Sequence, residues 1–165
     1  MTELKKIKIY TDGGSLENPG PGGYGIILKH KDRIKEISGG YKLTTNNRME
    51  LTAAIVALQA LKEKCDITLY TDSKYVVDGI TLGWAERWKR NGWKRNKKDK
   101  AENPDLWNKL LDLVAIHKIK FEWVKGHAGH PENERCDELV KLAANGHHLL
   151  VDEGYQNFGN ENRLI

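Results

Sequence analysis

The sequence has few of the residues that mark several large classes of protein. Only two of its 165 residues are cysteine, Cys65 and Cys136, and neither belongs to a Cys-x-x-Cys or Cys/His pattern. We therefore expect two buried thiols and no disulfide or zinc site. No apolar run approaches the roughly 18 residues that a membrane-spanning helix needs, and the first residues contain no signal-peptide apolar region. The sequence predicts a cytoplasmic protein without a membrane partner.

The composition is sufficient for one globular core. Hydrophobic residues make up 39% of the chain and charged residues 30%, which is too apolar a mixture for a disordered protein. The length is that of a single domain. We predict one folded domain over residues 1–146, followed by a polar, loosely held tail over residues 147–165.

Positive charge is concentrated in one part of the sequence. The whole chain carries a net charge of +4, but the segment from 84 to 100, WAERWKRNGWKRNKKDK, has eight basic and two acidic residues. Outside this segment the chain is mildly acidic. A localised basic patch that also contains three tryptophans indicates a polyanionic partner such as a nucleic acid.

Hydrophobic periodicity predicts the order of the secondary structure. Alternating residues predict strands over 7–12, 24–29, 34–38, 67–72 and 119–124, with the second and third forming a hairpin and Gly13-Gly14 opening a loop. Apolar stripes predict helices over 48 to about 62, through 75–83, after Asn103-Pro104 and after GHAGHP. This order implies an α/β fold whose mixed sheet has an antiparallel hairpin, parallel strands and helices on its faces.

Two strands end with the same three residues, Tyr-Thr-Asp, at Asp12 and Asp72. If the strands are parallel neighbours, about 4.8 Å apart, both carboxylates lie side by side at the carboxyl end of the sheet. Two such charges repel unless one is protonated or a hard divalent cation such as Mg²⁺ binds both. The alternative for Asp72 is a capping role, because Asp72-Ser73 begins a helix.

Three further side chains are candidates for the same chemistry, and each has an ordinary structural explanation. Glu50 fits a capping box with Asn47, yet nearby alanines would let its helix approach the sheet closely. Asp137 lies one position off the apolar face of the last helix and could be a solvated surface carboxylate. His127 lies in a glycine-containing loop and could simply be exposed, although its ordinary pKa suits proton transfer near neutrality.

Four blocks of the sequence resemble the signature blocks of bacterial type 1 ribonuclease H. They are YTDGGSLENPGPGGYG, TTNNRMELTAAIVAL, TDSKYV and WVKGHAGHPENERCDEL, and they follow the family's order over most of the chain. The resemblance implies a ribonuclease H-like fold with a five-stranded mixed sheet. It also implies a monomeric endonuclease that cuts the RNA strand of RNA–DNA hybrids and leaves 5′-phosphate and 3′-hydroxyl ends.

The resemblance also assigns roles to individual residues. It implies that four carboxylates, those of Asp12, Glu50, Asp72 and Asp137, bind two Mg²⁺ ions, with Mn²⁺ as a substitute, and that His127 shuttles a proton. The residues implied to contact the hybrid are Asn18, Thr45, Asn46, Asn47, Trp84, Trp107 and the basic segment with Lys89, Arg90 and Lys94. An RNA-selective enzyme must also read the ribose 2′-hydroxyl, for which the backbone of Gly13-Gly14, with Glu50 and Asn46, is the candidate.

The sequence is also compatible with two other functions. A hybrid-binding module without catalysis would need only the basic segment and the asparagines, but it would have no use for four carboxylates near a phosphate. A nuclease of the same fold could instead cut other nucleic acids, such as branched DNA.

Overall fold

The computed structural model of the protein describes residues 3–126 and 130–155. Within these residues the chain forms five strands and five helices. In chain order the elements are β1 (Lys5–Ser15), β2 (Gly20–His30), β3 (Arg33–Thr44), α1 (Asn46–Gln59), β4 (Cys65–Thr71), α2 (Lys74–Thr81), α3 (Trp84–Arg90), α4 (Pro104–Ile116), β5 (Lys118–Trp123) and α5 (Pro131–Ala144). None of the helices in the described parts of the chain is long and apolar enough to cross a membrane.

The five strands form one mixed sheet in the order β3-β2-β1-β4-β5. The pairs β1/β2 and β2/β3 are antiparallel, whereas β4 runs parallel to both β1 and β5. Helix α1 packs against β1 and β2, and α5 packs against β1, β2 and β3. The predicted α/β fold with a five-stranded mixed sheet is confirmed.

Strand β1 is longer than the alternation of hydrophobic residues predicts. It continues through Gly13 and Gly14, which pair with Tyr24 and Gly23, whereas the sequence predicts a loop there. Glycine is needed at Gly13 because a Cβ at this position would contact the backbone of Met49 in α1. Gly13 therefore marks a close approach between strand and helix rather than a turn.

Helix α1 is positioned by small, fully buried residues. Ala53, Ala54 and Ala57 have no exposed surface, as the close approach to the sheet requires. The helix begins at Asn46, two residues before the predicted start, because the Thr45 side chain accepts a hydrogen bond from the backbone N–H of Arg48 at 3.2 Å. The predicted end near residue 62 is three residues too late.

Both cysteines are free and buried, as predicted. Two tryptophans of the basic segment, Trp88 and Trp93, pack against the hydrophobic core. This packing anchors the segment from 84 to 100 to the body of the protein while its charged side chains face solvent.

Candidate metal centre and nucleic-acid interface

The parallel register of β1 and β4 places the two Tyr-Thr-Asp sequences beside each other. Tyr10 is paired with Tyr70, and their rings stack at 4.9 Å between centroids. Thr11 is likewise paired with Thr71, the last pair of the parallel β1/β4 ladder, so Asp12 inside β1 and Asp72 just after β4 follow at equivalent positions. Ser73, and not Asp72, caps α2, because the Ser73 hydroxyl accepts from the N–H of Val76 at 3.2 Å.

Glu50 reaches this edge of the sheet from α1. It accepts a hydrogen bond from the backbone N–H of Gly13 at 3.2 Å and another from the hydroxyl of Thr71 at 3.4 Å. The capping box proposed for Glu50 does not form, because Thr45 caps the helix and Glu50 is turned toward the strands. Its side chain is buried, so the close contact between α1 and β1 at Gly13 fixes its position.

The carboxylates of Asp12, Glu50 and Asp72 form one cluster, with one oxygen of each lying within 4.8 Å of the others. Burial and the neighbouring charge of Asp72 raise the pKa of Asp12 from 3.8 to about 7. Burial also raises the pKa of Glu50 well above its usual value, and the charges of Asp12 and Asp72 add to this effect. The three carboxylates cannot all be negatively charged at neutral pH unless a nearby positive charge compensates them.

A divalent cation would provide this compensation. The donors are all carboxylate oxygens, which are the ligands that Mg²⁺ and Mn²⁺ prefer. No histidine or thiol among the described residues belongs to the cluster, so the donor set favours a hard cation over zinc. The cluster therefore fits a magnesium-type site.

Without divalent cations, the contribution of the Asp12 carboxyl to the stability of the protein is expected to fall as the pH rises from about 4 to about 7. The folded-state pKa of Asp12 lies above its ordinary value, so the folded protein holds this proton more tightly than the unfolded chain does. The resulting stabilisation is complete below about pH 4 and is lost as the pH rises through about 7. The measurement is the melting temperature against pH in a chelator, for the wild type and the Asp12→Asn variant. The wild type should lose more stability with rising pH than the variant, and Mg²⁺ should restore it above pH 7. Parallel curves for the two proteins would contradict the assignment.

Asp137 of α5 lines the same cavity of 560 Å³ as the three clustered carboxylates. Its charge contributes to the raised pKa of Asp12, but its side chain forms an ion pair with Lys141 at 2.8 Å and is not part of the compact cluster. The structure thus brings three of the four predicted carboxylates together and places the fourth at the wall of their cavity. His127, the predicted proton carrier, lies outside the described residues.

Comparison with known proteins identifies the family. A model of the RNase H family matches residues 4–145. The ribonuclease H of Desulforamulus reducens is 60% identical over 151 residues, which cover 92% of this chain and 95% of the relative. The ribonuclease H of Klebsiella pneumoniae subsp. pneumoniae is 59% identical over 152 residues, covering 92% and 97%.

The chain belongs to the ribonuclease H family. Solved structures agree with this conclusion. LC9-RNase H1, a type 1 RNase H with the type 2 active-site motif, superposes with a TM-score of 0.80 at 32% identity, covering 99% of this chain and 84% of that one. LC11-RNase H1 in complex with RNA/DNA hybrid gives a TM-score of 0.62 at 26% identity, covering 82% and 94%. Ribonucleases H are endoribonucleases that hydrolyse the RNA of RNA–DNA hybrids, and the resemblance of the sequence blocks is confirmed.

Six of the predicted substrate residues line two cavities. Gly13 and Gly14 line the cavity of the carboxylates. A second cavity of 660 Å³ is lined by a polar set that includes Asn18, Thr45, Asn46 and Asn47.

Asn46 ties several of these substrate residues together. Its Oδ1 accepts from the N–H of Ser15 at 2.8 Å, and its own backbone N–H donates to Asn18 Oδ1 at 3.2 Å. These bonds fix the start of α1 against the end of β1.

The two tryptophans predicted along the DNA-strand channel differ in exposure. Trp84 is half-buried and lies against Trp88 with ring centroids 6.4 Å apart. Trp107 is fully buried in α4, and its Nε1 donates to the hydroxyl of Tyr75 at 2.8 Å. In this structure the large indole is part of the core beneath α3, and the contact of Trp107 with the hybrid stays a prediction.

The charged residues of the basic segment are accessible. Lys89, Arg90 and Lys94 are exposed, and Lys89 lies 3.9 Å from Asp112 in a long, solvent-exposed ion pair that contributes little stability. None of them is among the described residues that line the carboxylate cavity. They are free to contact phosphates away from the reacting one.

Sequence reasoning missed a buried cation beside the substrate residues. The side chain of Arg48 is only 3% exposed and bonds to Asp105 and Asp152. The sequence signal was weak, because Arg48 occupies an ordinary first-turn position of α1 and its partners lie 57 and 104 residues away.

Proposed function

We propose that this protein cleaves the RNA strand of RNA–DNA hybrids by two-metal-ion hydrolysis at the cluster of Asp12, Glu50 and Asp72. The observation that carries the proposal is the convergence of the three carboxylates within 4.8 Å. A binding module without catalysis would not maintain this arrangement, since mutual repulsion makes it costly and it would also repel a phosphate backbone.

Asp12, Glu50, Asp72 and Asp137 are proposed to hold two Mg²⁺ ions, with Mn²⁺ able to replace them. When bound, such ions supply activation of the attacking water and charge stabilisation at the leaving 3′ oxygen. The protein contributes the fixed position of Glu50, which is bonded to Gly13 and Thr71. Lys141 is close enough to compensate Asp137 until the site is occupied.

The remaining residues are proposed to orient the hybrid. The N–H of Gly13 is already used by Glu50, so recognition of the 2′-hydroxyl falls to Glu50 itself, the backbone at Gly14 and the side chain of Asn46. Asn18, Thr45 and Asn47 are proposed to contact the hybrid along the second cavity, and Trp84, Lys89, Arg90 and Lys94 to contact the DNA strand. A hybrid substrate is supported by the complex of LC11-RNase H1 with RNA/DNA hybrid.

We further propose that His127 moves a proton during hydrolysis and product release, and that products carry 5′-phosphate and 3′-hydroxyl ends. The catalytic domain is proposed to comprise residues 1–146, which is consistent with the family match over residues 4–145, and to act as a cytoplasmic monomer. Residues 147–165 are proposed to be a C-terminal tail, of which the structure describes residues 147–155.

Substrate selectivity tests the proposal. The wild type is incubated with labelled RNA–DNA hybrid, duplex DNA, duplex RNA and a branched DNA, each with Mg²⁺. Cleavage confined to the hybrid is expected. Binding without cleavage would indicate a hybrid-binding module, and cleavage of branched DNA in preference to the hybrid would indicate a different nuclease of the same fold.

A further inference from the structure

The described part of the C-terminal tail is docked onto the domain rather than loosely held. Leu150 forms a short parallel pairing with β3: its backbone oxygen accepts from the N–H of Lys42 at 2.8 Å, and its N–H donates to the oxygen of Gly40 at 2.9 Å. These bonds bring the next residues of the tail to the start of α1.

Asp152 is the buried anchor of this tail. It is only 8% exposed, and its carboxylate accepts from Nε and Nη2 of Arg48 at 2.8 and 2.9 Å and from the hydroxyl of Thr44 at 2.7 Å. A fourth hydrogen bond comes from the backbone N–H of Tyr155 at 3.3 Å. These four hydrogen bonds and the charge of Arg48 offset the free-energy cost of burying the carboxylate.

Arg48 connects this anchor to a second helix. Its Nη1 donates to Asn103 Oδ1 at 3.2 Å, and its Nη1 and Nη2 donate to the two oxygens of Asp105 at 3.0 and 2.7 Å. Burial would raise the pKa of Asp105, but the hydrogen bond and charge of Arg48 outweigh this effect and lower it. One guanidinium therefore joins the tail, the first turn of α1 and the first turn of α4.

Three members of this network, Arg48, Asn103 and Asp105, line the second cavity. Thr45 and Asn47 line it at the start of α1, Asn103 lines it at the start of α4, and Gly154 and Tyr155 line it from the tail. A Cβ at Gly154 would lie 2.5 Å from Nη2 of Arg48 and would also contact the carboxylate of Asp105. The tail thus packs directly on the ion pairs that hold the cavity wall.

We propose that Asp152 is a positioning residue for the hybrid substrate and that Tyr155 completes the binding cavity. Loss of the Asp152 charge leaves Arg48 with one carboxylate instead of two, so the guanidinium can move toward Asp105. Asn103, to which Nη1 of Arg48 donates at 3.2 Å, then loses a contact that fixes it at the cavity wall. Glu50 is held independently by Gly13 and Thr71, so substrate binding should suffer more than the chemical step. This inference rests on the proposed function for the identity of the substrate.

The test compares Asp152→Asn, Gly154→Ala and Tyr155→Ala with the wild type by steady-state kinetics on one RNA–DNA hybrid. Small displacements of positioning groups can cost up to about 10²-fold in rate constants, so we expect KM to rise about tenfold in Asp152→Asn and kcat to stay within about twofold. Gly154→Ala and Tyr155→Ala should raise KM in the same direction, by less, and they serve as the readout if Asp152→Asn does not fold.

A control separates positioning from general loss of stability. Ile7→Ala removes a buried side chain at the start of β1, and truncations of this kind cost about 2–5 kcal/mol. All variants are assayed well below their melting temperatures. A raised KM in the tail variants with an unchanged KM in Ile7→Ala supports the proposal. An unchanged KM in the tail variants overturns it and leaves the tail a structural clamp. If the wild type itself does not cleave the hybrid, the proposed function fails instead.

Discussion

Replacing Asp12 by Asn is expected to abolish hybrid cleavage while the protein still binds the hybrid. Asp12 is central to the carboxylate cluster, since burial and its neighbours raise its pKa to about 7. Loss of one anionic ligand weakens the metal site, and the several kcal/mol that metal ions contribute to the transition state correspond to a fall in kcat of at least about 10³-fold. Hybrid affinity should change little, because the exposed basic segment provides the phosphate contacts.

The measurement is single-turnover cleavage together with hybrid binding by fluorescence anisotropy. Asp66→Asn is the matched control, because Asp66 lies on the same strand that leads to Asp72 but pairs with Lys118 at 3.9 Å outside the cavity. The control should retain wild-type turnover, and Asp72→Asn should behave like Asp12→Asn. Near wild-type turnover in either cluster variant would rule out the metal site.

Neutralising six charges of the basic segment is expected to raise KM strongly and to leave the chemical step nearly unchanged. The six residues are exposed, and they are Lys89, Arg90, Lys94, Arg95, Lys97 and Lys98. They lie outside the carboxylate cavity, so they contribute affinity without touching the reacting phosphate. The salt slope is the slope of the logarithm of the binding constant against the logarithm of the salt concentration. For every phosphate that the variant no longer binds, the magnitude of this slope should fall by about 0.9, the value for duplex DNA.

The measurement is KM and the single-turnover rate against KCl concentration. A control variant neutralises six other exposed lysines, so that it loses the same total charge: Lys6, Lys8, Lys31, Lys35, Lys62 and Lys64. If the basic segment binds the hybrid, the variant neutralised in this segment has a higher KM and a shallower salt slope than the control variant. Equal effects in both variants would mean that only net charge matters and that the segment is an ordinary solvated surface.

The positions of the clustered carboxylates could be predicted from the sequence because short sequence patterns determine them. The repeated Tyr-Thr-Asp predicted equivalent positions for Asp12 and Asp72 on two strands, and a parallel register was enough to bring them together. The alanines of α1 predicted a close approach to the sheet, which carries Glu50 to the same edge. In each case a short pattern and one geometric rule determined the outcome.

The parts that could not be predicted depend on contacts between distant residues. Nothing near Arg48 in the sequence indicates that its charge is buried against Asp105 and Asp152, which lie 57 and 104 residues away. Burial of Trp107 has the same origin, because the packing of α2 and α3 over α4 decides it. The sequence predicts a loop at Gly13 because glycine in a strand and glycine in a loop look alike until the approaching helix is known.

Strand-resolved cleavage of a single hybrid tests the central claim most directly. The same RNA–DNA hybrid is labelled on the RNA strand in one sample and on the DNA strand in the other, and each is incubated with the wild type in Mg²⁺ or in a chelator. The account predicts cleavage of the RNA strand alone, only when Mg²⁺ is present, with 5′-phosphate and 3′-hydroxyl ends. Cleavage of the DNA strand, or RNA cleavage that persists in the chelator, would contradict it.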